Sequence, residues 1–176
     1  MRKIVLTFGL IAGAIMSVMM VATGALVDQI GLDAGAIIGY TSMVVAFLMV
    51  YFGVRSYRDN VAGGDISFAR ALGVGVLIVA IASVCYVATW EVLYYTVWPD
   101  FADKYAALSI EKARAEGANA AELAQKQQEM AEFSRNYRNP LYNIAVSFLE
   151  PLPVGLLFAI VSAAVLRRRK SSPAFV

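Results

Sequence analysis

Four apolar runs constrain this chain more than any other feature. They cover about residues 4–27, 34–54, 68–98 and 141–166, and each approaches or exceeds the roughly 20 helical residues that cross a hydrocarbon core about 30 Å thick. A polypeptide segment in such a layer must satisfy its own backbone hydrogen bonds, so each run is expected as a helix. The chain therefore reads as all-α: a four-transmembrane-helix bundle forming a single integral membrane domain over 1–176, with a soluble helical insert over 99–139. Of its 176 residues, 60% are hydrophobic, against about half in an ordinary soluble domain. That length leaves room for one membrane domain and one short water-exposed segment.

The residues that are missing narrow the chemistry. There is no histidine and the one cysteine is Cys85, so zinc sites built on His and Cys, a Ser-His-Asp triad and Cys-His catalysis are excluded within this chain, as is an intrachain disulfide. Ser147 and Ser162 have no base at a recognisable spacing. A net charge of +2, with no basic patch interleaved with aromatics, argues against a nucleic-acid partner. We expect no cofactor, no metal and no enzyme.

Taken in order, Met1-Arg2-Lys3 and the following apolar run resemble a secretory signal. The run is too long for one, since a signal core spans about 7 to 15 residues, so a retained first span is expected. Gly9, Gly13 and Ser17 place small residues on one face of it and permit close helix contact. Asp28 and Asp33 flank a short turn, with Asp33 a candidate N-cap, and Gly31, Gly35 and Gly39 suggest the face of the second span that meets the first. Arg55 to Asn60 and Gly63-Gly64-Asp65 read as the next connection, with Ser67 or Asp65 capping the third span. Trp90, Tyr94, Tyr95 and Trp98, near its end, mark a membrane-water interface. From Pro99 the composition changes to Ala, Glu, Lys and Gln. Phe101, Tyr105 and Leu108 fall at helical spacing, Gly117 ends that helix, and Asn119 caps a second one carrying Leu123, Met130, Phe133 and Tyr137, so a helical hairpin is expected.

Charge sets the expected orientation. Nine basic residues lie on one side, Arg2, Lys3, Arg55, Arg58, Arg70, Arg167, Arg168, Arg169 and Lys170. The other side holds six in the insert against seven acids. The positive-inside rule then puts both termini in the cytoplasm and the hairpin outside. Arg55, Arg58 and the Arg167 to Lys170 cluster are expected to contact lipid headgroups, the bilayer itself being the first partner.

Several short motifs occur in a specific order: Arg58-Asp59, Gly63-Gly64-Asp65-Ile66-Ser67-Phe68, Pro99-Asp100-Phe101, Asn139-Pro140, and Phe148-Leu149-Glu150 leading into Pro153-Val154-Gly155-Leu156, with Ser162 and a basic end. With these the chain resembles domain-of-unknown-function family 4199, mostly small bacterial membrane proteins, over nearly its whole length. The resemblance implies four spans and an extracytoplasmic helical loop, in a bacterial cytoplasmic membrane. It implies no reaction.

Chemistry, if any, falls to two carboxylates, Glu91 and Glu150. Counting 1.5 Å per residue back from Leu166 puts Glu150 roughly 6 Å beneath the outer boundary, and counting forward from Ala71 puts Glu91 near that boundary. Side chains lean toward the N-terminus of their own helix, which brings the two acids closer in level. If they meet, they share a proton. Pro151 and Pro153 lack N–H groups and leave the carbonyls of Ser147 and Leu149 without helical donors. Two readings of this polar site stand. In one, Glu91, Glu150, Pro151 and Pro153 form a proton or cation site of an ion-coupled transport component. In the other, the prolines kink the helix and Glu150 bonds Tyr94, Tyr142 or Trp90. The leading expectation for the whole chain is a structural or partner-interaction protein of the membrane, binding another membrane protein or forming a homo-oligomer, with the transport component as the alternative.

Overall fold

The computed structural model describes residues 1–167, apart from the side chains of Val27, Asp28 and Leu32. It is 87% helical and has no strand among these residues. The elements are α1 (Arg2–Asn60), α2 (Phe68–Thr96), α3 (Phe101–Ala115), α4 (Ala120–Tyr137), α5 (Pro140–Leu149) and α6 (Leu152–Leu166). Four segments, Arg2–Leu26, Asp33–Asn60, Phe68–Thr96 and Pro140–Leu166, are long and apolar enough to cross a membrane.

Three boundaries differ from the sequence reading, each for a local reason. The turn expected between Asp28 and Asp33 is concentrated in one residue of α1. Gly31, at φ 78° and ψ 171°, adopts a conformation open to glycine and costly for any side chain, and it divides α1 into two arms. The connection expected from Arg55 starts only after Asn60. Arg55 pairs with Asp59 one helical turn on at 3.7 Å, and the Asn60 amide donates to the Ser56 carbonyl at 3.0 Å, so α1 keeps its last turns. The fourth apolar run, expected as one helix, is two. Its break falls at Glu150-Pro151, and the prolines are not kinks in a continuing helix. Pro151 is the N-cap of α6 and Pro153 lies in its first turn, where a missing N–H removes nothing the helix would use.

The chain groups into two compact units, one comprising residues 1–86 with those from 149 on, the other Val87–Phe148. In the first, helices meet at glycines. A Cβ on Gly9 would lie 2.8 Å from the Ile81 side chain, and one on Gly13 would lie 2.5 Å from Cys85 Cβ. The first arm of α1 therefore runs parallel to α2 at backbone distance. Gly53 faces Ile78 and Phe8, and Gly75 faces Ala159 and Val50. Gly155 faces Val79 and Phe47, which would lie 2.5 and 3.0 Å from an added Cβ. The pairs Gly75 with Ala159 and Val79 with Gly155 show α6 running antiparallel to α2. Phe47, Val50, Ile78, Val79, Ala82 and Ala159 form the sealed interior of this unit.

The small-residue face expected on the first span is thus a packing face, its neighbour being α2. Of the face expected on the second span, Gly31 and Gly39 are not close contacts. A Cβ on Gly31 or Gly39 would meet nothing within 4 Å, and in that arm close packing falls to Gly53 instead. Four-residue spacing occurs often in apolar sequence, and only a neighbour turns it into an interface.

In the second unit α3 and α4 pack antiparallel. Ser134 donates to the Ala102 carbonyl at 3.2 Å, Arg138 bonds Asp103 at 2.8 Å, and the rings of Tyr105 and Phe133 lie 5.4 Å apart. The reversal between them follows the sequence cues closely. Gly117 takes φ 87°, and Asn119 caps α4 in a capping box with Glu122.

Because Gly13 is a contact and Gly39 is not, their substitution has opposite outcomes. Gly13→Leu is expected to force the first arm and α2 apart and lower stability by about 1 to 3 kcal/mol. Gly39→Ala is expected to gain up to about 1 kcal/mol from helix propensity. Thermal unfolding of both variants in the same micelles, followed by circular dichroism, checks the signs.

Candidate functional site

Each of the two units holds its own set of polar groups. In the first, Glu150 occupies the turn between α5 and α6. The register that sets Ala159 beside Gly75 and Gly155 beside Val79 carries on to the break and brings Glu150 to Tyr86 of α2. The Tyr86 hydroxyl donates to Glu150 Oε2 at 2.7 Å, an ordinary length for a hydrogen bond between oxygens. The residue itself stands exposed at the surface of the chain, Tyr86 is half-buried and Pro151 is buried. One oxygen of the carboxyl is therefore held and the other is left open.

Tyr86 is not among the partners the sequence suggested. Tyr94, Tyr142 and Trp90 were the expected donors, yet Trp90 is committed elsewhere and the partner comes from one turn deeper in α2. Its level was within reach of the same arithmetic. Tyr86 precedes Glu91 by five residues, about 7.5 Å along the helix, which is near the depth inferred for Glu150.

In the second unit the centre is Asn143, with none of its surface exposed. Its Oδ1 accepts from Trp90 Nε1 at 3.0 Å and from the Ser147 hydroxyl at 3.2 Å. The indole N–H can only donate, which fixes the amide with its oxygen toward Trp90. Asn143 Nδ2 is then left buried with no partner, as is Glu91 Oε1 in the same unit. The role of Asn143 was not anticipated, although an amide within Leu141 to Phe148, one turn before Ser147, is a visible irregularity in an apolar run.

The rings expected to mark an interface are divided. Tyr95 is exposed, whereas Trp90 and Tyr94 are buried. Trp90 meets Phe101 edge-on at 4.7 Å, and Tyr94 meets Tyr137 at 5.6 Å. The apolar positions of α3 and α4 need a surface to bury against, and these rings supply it.

Of the basic residues expected at lipid headgroups, Arg55 keeps a side chain 55% exposed. Arg58 is held by Asp59 at 2.7 Å with a side chain only 15% exposed. Arg167 is exposed at the end of α6, and Arg168, Arg169 and Lys170 lie outside the described residues. Among those residues no three His, Cys, Asp or Glu side chains come together in a way that could hold a metal ion.

An all-helical chain with four segments long and apolar enough to cross a membrane has the make-up of a small helical membrane protein. Within that class it belongs to the family described as Protein of unknown function (DUF4199), whose model matches residues 7–168. No curated protein and no solved structure matches the chain.

The Trp90–Asn143 bond is expected to be cooperative. Trp90→Phe and Asn143→Leu should each cost about 1 to 3 kcal/mol, because each strands a buried partner. The double variant should cost less than their sum, since neither member of the Trp90–Asn143 pair is left stranded by loss of the other. Denaturant unfolding of all four chains in mixed micelles reads the coupling.

Proposed function

We propose that this chain is a four-span protein of the cytoplasmic membrane whose role is structural: it holds a partner, or another copy of itself, through the α3–α4 pair. The observation that carries the membrane reading is the state of the apolar segments. Between 22 and 44% of the residues in their most apolar windows are buried within the chain, so most of that surface needs a non-aqueous neighbour. Leu10, Val18, Ile37, Val84, Leu157 and Val165 all stand exposed, as lipid-facing side chains would.

The directions of the packed helices fit a chain that crosses four times. A first segment parallel to the third, and a fourth antiparallel to it, leave both ends on one side. The basic residues gather on that side, and the positive-inside rule makes it the cytoplasm. The α3–α4 pair is then extracytoplasmic. Its outer surface carries both signs of charge and no catalytic grouping, which suits contact with a partner more than it suits a reaction.

Two measurements test this. In a Cys85→Ala background, a membrane-impermeant maleimide on intact cells should label Gln128→Cys in α4 and leave Asn60→Cys unlabelled until the cells are permeabilised. The opposite pattern overturns the orientation. For the partner role, the full-length chain extracted with its native lipid and cross-linked through Lys104, Lys112 and Lys126 should give intermolecular products, either to a second copy or to one other protein. Only intramolecular products, together with a monomeric mass, would contradict it.

A further inference from the structure

The manner in which Glu150 is held points beyond a structural role. An acid kept only to hold a fold within a span is expected to have both oxygens satisfied, since an unmet acceptor there is costly. Glu150 has one. Tyr86 donates to Oε2, while Oε1 takes no hydrogen bond among the described residues and the residue stands at the chain's surface.

The surroundings decide what could bind. A metal cation would have to exchange its water shell for several oxygens, as the six to eight of a calcium site illustrate. One carboxyl and one phenol fall well short of that. A proton needs a single lone pair, and Oε1 offers it. Among the described residues the one side chain recorded as bonding the carboxyl is Tyr86. α6 has no titratable residue between Leu152 and Leu166. From α1, the residue seated at the start of α6 is Phe47, beside Gly155. On α2 the neighbouring titratable side chain, Cys85, lies against Gly13 instead.

We infer that Glu150 is a reversible proton-binding site within the fourth span, with Tyr86 as its positioning residue. The proton arrives from water at the near face and forms an O–H bond at Oε1, taking the carboxylate from −1 to 0. On release it returns to water and the charge is restored. Tyr86 keeps its own proton throughout and holds the carboxyl against α2. Such an acid gives the chain a one-charge switch at the point where its fourth span is broken. Its failure would leave the four-span reading intact, because the packing at the glycines does not depend on it.

Infrared difference spectra of the full-length protein in lipid nanodiscs, recorded across a pH titration, test the site. The expected result is a one-proton carboxylic C=O band that is lost in Glu150→Gln and kept in Glu150→Asp. The midpoint should be displaced in Tyr86→Phe by about tenfold in proton affinity and should be unmoved in Tyr95→Phe, whose ring is exposed. A band unchanged by Glu150→Gln, or a midpoint insensitive to Tyr86→Phe, overturns the proposal. Circular dichroism that matches the parent chain confirms that each variant compared is folded.

Discussion

Helices in a bilayer cannot be driven together by escape from water, because the lipid is as apolar as they are. They associate by close packing, and close packing requires residues small enough for backbones to touch. The first unit of this chain depends on that condition. Gly9 and Gly13 bring the first arm of α1 onto α2, Gly53 brings in the second arm, and Gly75 with Gly155 seats α6. These contacts do more than fill space. They fix the register of α6 on α2, and that register is what places Glu150 at Tyr86, so the polar site is a consequence of where the glycines fall.

The second constraint is the backbone itself. Ending a helix inside an apolar layer strands donors and acceptors unless the break is built for it. Here the break is placed so that two residues without N–H groups open the new helix, and the exposed carboxyl beside them takes its donor from a neighbouring helix. In the second unit a comparable economy operates through Asn143, which satisfies Trp90 and Ser147 with a single oxygen and leaves its own amide nitrogen unmatched.

Much of this was legible from residue patterns. Apolar runs of 20 or more residues admit few structures, so four helical segments able to cross a membrane and the two helices between the third and fourth could be read directly, together with the Gly117 and Asn119 signals that turn α3 into α4. The break at Gly31 was visible as a turn, although not as a single residue. What stayed hidden were pairings across sequence distance. Nothing local distinguishes Gly13, where an added Cβ would strike Cys85, from Gly39, where it would meet nothing within 4 Å, because the difference lies in a helix elsewhere in the chain. Tyr86 was passed over for the same reason: a tyrosine in a long apolar helix becomes a donor only once the register of its neighbour is known. Trp90 and Tyr94 were read as interface rings because their composition suits a boundary, yet the presence of α3 and α4 buries them.

The central claim is that four segments lie in the bilayer, with a break at Glu150-Pro151 and with α3 and α4 outside it. Hydrogen-deuterium exchange of the full-length chain in nanodiscs measures this most directly. The account requires slow exchange across Arg2–Leu26, Asp33–Asn60, Phe68–Thr96 and Leu152–Leu166, a local rise at the amides of Leu149 and Glu150, and fast exchange along α3 and α4. Protection of α3 and α4 equal to that of the four segments, or continuous protection through Glu150, would contradict it.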